Sequence, residues 1–341
     1  MLNISNHTKI FVYCPANHVT GGAELLHQLV DKLNNYALNA YIVYSNIDAK
    51  IPLEYSAYNI KTTDQIIDNE HNIVVIYEGI LQKAFCIEKA QIVLWWLSVD
   101  NFYYCSTNFL SLRDYFTWKP SYGFYMLLRR VAILAIKQRN IFNTKSLQDI
   151  KKLDAVNCYQ SEYAQNFLLN NGFVRLAPLT DYINSDFSSS NSTSKRENIV
   201  LYNPKKGYQF TKQIIKATPD ITWKPLIGMS RSELINTFQS SKLYLDFGYH
   251  PGKDRIPREA AINGCCVITG LQGSARFFED VAIPNYFKID EQHTPISSIV
   301  ARINDIFLNF EKYTIDFDYY RSKIKREETE FDYQIRNIFN L

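Results

Sequence analysis

The chain has 341 residues, 46% of them hydrophobic and 21% charged, which excludes a disordered polypeptide and leaves room for two α/β domains with cores of their own. A net charge of +3 is too small to argue for nucleic-acid binding, and no nucleic-acid partner is expected. The six cysteines, at positions 14, 86, 105, 158, 265 and 266, form no CxxC pair. Reduced thiols and a cytoplasmic chain are therefore expected. The polar start, MLNISNHTKIFVYC, does not read as a secretory signal, so the sequons at Asn3, Asn6 and Asn191 carry little weight. No apolar run approaches the ~18 residues of a membrane span.

Lys9–Tyr13 reads as a first strand. A loop with His18, Gly21 and Gly22 follows. Leu25, Leu26, Leu29, Val30 and Leu33 then recur at helical spacing within Ala23–Leu33. Ala40–Tyr44, Ile73–Tyr77 and Ile92–Leu97 are predicted strands; their unbroken apolar runs suit a parallel sheet covered on both faces. Phe102 to Lys145 mixes aromatic residues with Arg113, Lys119, Arg129, Arg130, Lys137 and Arg139. Leu127, Leu128, Val131, Ile133, Leu134 and Ile136 give this segment a broadly apolar helix. It reads either as a core helix with a basic exposed side or as a helix that docks on an anionic membrane. Asp154–Tyr159 is a further strand and Ser161–Asn171 a helix ending near Gly172.

The run NSDFSSSNSTSK, residues 184–195, reads as a linker. Beyond it the alternation resumes: strand Ile199–Tyr202, helix Phe210–Ala217, strand Ile221–Ile227, helix Ser232–Ser240 and strand Leu243–Phe247. The expected fold class is α/β, with two Rossmann-like doubly wound domains at 1–183 and 199–315, a linker over 184–198 and a helical tail over 316–341 that packs back on the first domain.

The segment SKLYLDFGYHPGKDRIPREAAINGCCVITG, residues 241–270, is the most informative. After Phe247, a loop carries Gly248, His250, Pro251, Gly252, Lys253, Asp254 and Arg255. A helix opens around Pro257 with Glu259 expected in its first turn, closes at Gly264, and Cys266–Thr269 follows as a strand. A strand that delivers a basic, glycine-bearing loop onto a helix N-terminus directs free N–H groups and the positive end of the helix dipole at one point. Lysine and arginine add full charges. Such a loop is a candidate phosphate or diphosphate site.

Three segments give the chain a resemblance to the GT-B glycosyltransferases, above all the retaining group that uses nucleotide-sugar donors. Gly21-Gly22-Ala23-Glu24 is similar to that group's GGAE-type loop after the first strand. Asn203-Pro204-Lys205-Lys206-Gly207 stands where the family places basic donor-phosphate ligands. Arg258-Glu259-Ala260-Ala261-Ile262-Asn263-Gly264-Cys265-Cys266-Val267-Ile268 resembles the pattern E-A-x-A-x-G-x-P-V-I. Glu259 matches the second of the family's paired glutamates around this loop. The first falls on Pro251, with Asp254 and His250 as candidates for its task.

The resemblance implies two domains facing across a cleft, a nucleotide-sugar donor held mainly by the second, and a glycan or lipid-linked acceptor held by the first. It implies a role in surface polysaccharide synthesis, retention of anomeric configuration, and no metal or other cofactor. Lys205, Lys253 and Arg255 would carry the diphosphate charge, with Lys206 as the alternative to Lys205. Glu259 would bind the donor ribose. His250, Asp254 and Gly22 are further donor-side candidates. His18 is a candidate contact to the acceptor or the donor sugar, and Asp100 is a candidate on the acceptor side, where it would hold a hydroxyl or act as a base. Glu78 is another candidate acid. Each has a plainer alternative: solvated surface charge for Lys253 and Arg255, a dipole-complementing residue for Glu259, a tight turn for the glycines, and a helix cap for Asp100 beside core Trp95 and Trp96. Arg258 either joins the site or turns inward to an acid. Two rival functions are a nucleotide-sugar epimerase of the same fold and a non-catalytic scaffold. A Rossmann dehydrogenase is disfavoured because no GxGxxG follows a strand.

Overall fold

The computed structural model describes residues 2–17, 19–46, 49–137, 144–188 and 195–341. His18, Arg139 and the centre of the serine-rich stretch lie outside the described residues. The chain forms two compact units. The first contains residues 1–160, 164–179 and 332–341; the second contains 161–163 and 180–331. Residues 180–188 thus group with the second unit, and the division falls ahead of the serine-rich stretch.

The first unit is built on strands β1 (Lys9–Cys14), β2 (Asn39–Tyr44), β3 (Ile73–Tyr77), β4 (Gln91–Trp96), β5 (Ala155–Tyr159) and β6 (Leu176–Pro178). They pair in the order β2-β1-β3-β4-β5-β6, all parallel. Its helices are α1 (Gly21–Asn35), α2 (Val99–Cys105), α3 (Leu112–Trp118), α4 (Pro120–Lys137), α5 (Leu147–Lys151) and most of α6 (Glu162–Asn170). The apolar strands are buried because helices cover both faces: Ile10, Val12, Ile73 to Ile76 and Val93 to Trp96 are nearly inaccessible. The side-chain hydroxyl of Thr20 caps α1 by accepting from Ala23 N. The unit also holds the end of the C-terminal helix: Tyr36 Oη donates to Asp332 Oδ2 at 2.6 Å, and Arg336 Nε donates to Tyr36 Oη at 2.9 Å.

Helix α4 departs from the core-helix reading. Its basic Arg130 is buried, donating to the Thr107 and Leu110 carbonyls, while Phe124, Tyr125, Leu128, Val131 and Ile136 are exposed. Phe124, Leu128, Val131 and Ala135 follow the i, i+4, i+7 spacing of one helix face, and that exposed face is apolar. No helix among the described residues is long and apolar enough to cross a membrane.

The second unit has strands β7 (Glu197–Tyr202), β8 (Thr222–Pro225), β9 (Ser241–Asp246) and β10 (Cys266–Thr269), in the parallel order β10-β9-β7-β8. Around them lie α7 (Tyr208–Ala217), α8 (Arg231–Ser240), α9 (Arg255–Ile262), α10 (Ile296–Leu308), α11 (Phe310–Ile315) and the first part of α12 (Asp318–Phe339). Helix α8 starts with a reciprocal capping box between Ser230 and Glu233. One core joins Val200, Leu201, Leu243 to Leu245 and Val267 in the sheet to Ile299, Ile303 and Ile306 of α10 and to Phe317, Tyr320 and Ile324. The six cysteines are free thiols.

Chain order and strand order together locate the place where a ligand fits. From β7 the chain adds β8 on one side, then crosses back to place β9 on the other. The topological switch point therefore lies between β7 and β9, and crevices at the carboxyl ends of such strands are the ligand sites of open parallel sheets. Both basic loops picked out in the sequence leave from there.

Candidate functional site

β7 and β9 run in register, Leu201 beside Tyr244 and Tyr202 beside Leu245, so the loops that follow them emerge side by side. Two glycines let those loops touch. Gly207 has φ of 58°, and a Cβ on it would lie 2.4 Å from the Phe247 carbonyl oxygen. A Cβ on Gly248 would lie 2.4 Å from Lys206 Cβ. Only glycine tolerates this approach. The result is that Lys206, from the first loop, reaches the acidic residues of the second.

These groups form a row. Asp246 ends β9 and accepts from Gly248 N at 2.8 Å and from Tyr244 Oη at 2.7 Å. His250 Nε2 lies 3.6 Å from Asp246 Oδ1 and its Nδ1 lies 3.2 Å from Asp254 Oδ2. Lys206 Nζ donates to Asp254 Oδ2 at 2.5 Å. Burial lowers the basicity of His250, but the two flanking carboxylates outweigh it and hold its pKa above the ordinary histidine value. Burial raises Asp246, yet His250, Lys206 and the Tyr244 hydroxyl pull it well below the usual carboxylate range. His250 was expected to meet the donor. Its side chain is wholly buried between Asp246 and Asp254.

Asp246, His250 and Asp254 also bring one potential metal-ligand atom each to within 4.8 Å of one another. A divalent ion there would face the Lys206 ammonium, which already neutralises Asp254.

The other cations of the loop turn inward. Lys253 Nζ forms an ion pair with Glu327 Oε1 at 2.8 Å and donates to Thr180 Oγ1 at 3.0 Å. Arg258, fully buried, donates to Glu327 Oε2 and Asp181 Oδ2, both at 2.8 Å, and to the Lys253 carbonyl at 3.0 Å. Arg255 Nε lies 3.6 Å from the same Asp181 oxygen. Burial raises Asp181, but Arg258, Arg255 and Lys253 together hold it below the usual carboxylate range. Arg258 thus takes the inward alternative. Lys253, expected as either a phosphate ligand or a solvated charge, is a buried partner of α12. This network ties the loop to α12, residues remote in sequence, through Asp181 and Glu327.

Helix α9 begins at Arg255, ahead of Pro257, with Asp254 in the N-cap position. Glu259 is therefore in the second turn rather than the first, which removes the simple dipole account of it; the residue is 7% exposed. Of the two lysines in the first loop, Lys205 is exposed and Lys206 half-buried. They are more exposed than Lys253, Arg255 and Arg258.

In the first unit, Gly22 is exposed at the start of α1. Asp100 is wholly buried in the first turn of α2, whose cap is Ser98, so its carboxylate is closed to an acceptor here. Trp95 and Trp96 are core residues, their Nε1 groups donating to the Leu179 carbonyl at 2.9 Å and to Asn157 Oδ1 at 3.3 Å. Glu78 accepts from Leu97 N at 2.9 Å. Burial raises its pKa to about 8, against the pull of that bond and of neighbouring N–H groups. Asp246, Asp181 and Glu327 escaped the sequence reading. Asp246 had a usable signal, an acid at the carboxyl end of a strand; the other two had none.

No described sequence family and no curated protein matches the chain by sequence. Solved structures do match it along its length. Sucrose-phosphate synthase from Thermosynechococcus elongatus superposes with a TM-score of 0.63 at 9% identity, over 98% of each chain. HepE from Anabaena, in complex with UDP-glucose, gives 0.62 at 10% identity, covering 97% of this chain and 99% of its own. WaaG, a glycosyltransferase involved in lipopolysaccharide biosynthesis, gives 0.61 at 10% identity, covering 96% and 99%. With its two parallel sheets and this full-length likeness, the chain has the GT-B glycosyltransferase fold.

Proposed function

We propose that this protein is a glycosyltransferase that moves a sugar from a nucleotide-sugar donor to a glycan or lipid-linked acceptor in surface polysaccharide synthesis, with retention of configuration and without a metal. The observation that carries the reading is the meeting of two basic loops at the switch point of the second sheet, with Lys206 delivered across it by the Gly207–Phe247 approach. The solved complex of HepE with UDP-glucose supports a nucleotide sugar as the ligand of such a fold. WaaG supports the surface-polysaccharide context.

In this reading Lys205 and Lys206 bind the diphosphate. Negative charge grows there as the donor bond breaks, and preorganised cations stabilise it, a contribution on the order of 2–4 kcal/mol for one well-placed donor. Lys253, Arg255 and Arg258 hold the loop behind them through Asp181 and Glu327. Glu259 accepts from the donor ribose hydroxyls. The leaving diphosphate assists attack from its own face. The apolar exposed side of α4, with Phe124 62% and Leu128 68% exposed, is the surface that rests on an anionic membrane carrying the acceptor.

The test is a thermal-shift series with UDP, GDP, CMP, ADP and TDP in EDTA, on the native chain and on Lys206→Met. A nucleotide at ~100 times its Kd adds about 2.7 kcal/mol. One nucleotide raising Tm in the native chain, with the shift lost in the variant, is the expected result. Silence from all five favours the scaffold rival. Conversion of a donor without any acceptor favours the epimerase. Phe124→Asp with Leu128→Asp should abolish co-sedimentation with phosphatidylglycerol vesicles while leaving Tm unchanged; undiminished binding removes α4 from the membrane reading.

A further inference from the structure

Asp254 stands where an N-capping aspartate belongs, at the start of the eight-residue α9, yet its carboxylate makes no hydrogen bond to the first helical turn. Part of the reason is chemical. An N-cap carboxylate usually takes the N–H of the second or third helical residue. The third here is Pro257, which has none. The carboxylate points instead to Lys206, at 2.5 Å, with His250 Nδ1 3.2 Å away on the same oxygen.

From this arrangement, and resting on the reading of Lys206 as a diphosphate ligand, we propose that Asp254 is a resident anion of the site: it neutralises Lys206 while the site is empty, and a bound diphosphate displaces it. Three features make the exchange cheap. The Lys206 and Asp254 side chains are 31% and 21% exposed, so water reaches the pair and weakens it. A diphosphate offers Lys206 stronger charge-assisted bonds than one carboxylate does. When Lys206 leaves, the Asp254 oxygen keeps a polar neighbour, because His250 Nδ1 stays 3.2 Å from it, the ring lying between Asp254 and Asp246, which is itself held by bonds from Tyr244 and Gly248. The buried histidine then has a function that neither a donor contact nor a core role accounts for. It is the positioning residue that lets Asp254 let go of Lys206. The carboxylate also screens against weak anions, since only a ligand that competes with it gains the lysine.

Calorimetric titration of inorganic pyrophosphate and of UDP, in EDTA, into the native chain, Asp254→Asn, Lys206→Met and the double variant tests this. Asn keeps the size of Asp254 and removes the competing charge. Asp254→Asn should bind pyrophosphate about five-fold more tightly, the size of a partly exposed ion pair. Lys206→Met should lose at least about ten-fold, the scale of one charge-assisted contact. In the Lys206→Met background the Asp254 substitution should have a smaller effect, because no lysine remains to be released; this coupling is a readout that a merely structural aspartate would not produce. Equal or weaker binding by Asp254→Asn, with Lys206→Met still defective, overturns the resident-anion proposal and leaves the diphosphate reading intact. Binding by Asp254→Asn alone, with none by the native chain, supports it in its strongest form. No binding by either overturns both, since the competing charge has then been removed without exposing a site.

Discussion

Arg258 offers a direct test of how the candidate loop is held. It is 0% exposed and makes four hydrogen bonds: to Glu327 and Asp181 at 2.8 Å each, to the Lys253 carbonyl at 3.0 Å and to the Asp254 carbonyl at 3.2 Å. Arg258→Met keeps much of the volume and removes the charge. Breaking a buried ion pair from one side costs about 3–5 kcal/mol. Lys253 still faces Glu327 and Arg255 still faces Asp181, so the low end, about 3 kcal/mol, applies. At about 2–4 °C per kcal/mol for a unit of this size, Tm should fall by roughly 6–12 °C.

The pH dependence has a defined sign. In the native chain Asp181 titrates below its unfolded value, so its contribution is present above the ordinary carboxylate pKa and is lost only as pH falls through the lower folded value. Without Arg258 the largest charge holding Asp181 low is gone, and its folded pKa rises against the remaining pull of Arg255 and Lys253. The variant's deficit then narrows as pH falls toward 5, where Asp181 takes up a proton more readily than it does in the native chain. Urea unfolding of both proteins across that range measures the gap. A deficit under about 1 kcal/mol, or one that does not narrow toward pH 5, refutes the buried-network reasoning.

Two further substitutions probe the loop and its surroundings. Gly207→Ala forces a left-handed residue and a Cβ 2.4 Å from the Phe247 oxygen, and should cost about 2–4 kcal/mol together with nucleotide binding. Gly228→Ala is its control: φ is 63° there but nothing lies within 4 Å, so only the backbone cost of about 1 kcal/mol should appear in urea unfolding, and equal losses at both sites would dismiss the close approach. Asp280 accepts from Glu162 N at 2.8 Å and Tyr163 N at 3.0 Å, and burial raises its pKa to about 6 despite those bonds and Lys253. Its folded pKa exceeds the unfolded one, so native stability from this group falls as pH rises from about 4 through 6. Asp280→Asn should remove that slope, so that the variant gains about 2–3 kcal/mol on the native chain between pH 4 and pH 7.5; parallel stability curves would count against the assigned shift.

The strands of both sheets were legible because their signal is local. Ile73–Tyr77 and Cys266–Ile268 are unbroken apolar runs, the kind that forms strands covered on both faces. The two basic loops were legible for a similar reason: glycine, proline and charge concentrate where a chain turns at a strand's end. The start of α9 was read two residues late because Pro257, a marker of helix beginnings, sits at the third helical position rather than the first.

What each charge does was decided only by tertiary structure. Lys253 and Lys206 look alike in the sequence, yet one is buried against Glu327 and the other reaches Asp254 across the switch point. The partners of Arg258 lie 77 and 69 residues away, in segments that carry no motif. The apolar side of α4 was visible as composition, but its exposure was not, because periodicity gives a helix's faces without saying which one is covered. Backbone conformation and burial tendency are properties of a few neighbouring residues. The fate of a charge depends on which distant groups the fold brings within a few ångströms and how much water it leaves between them.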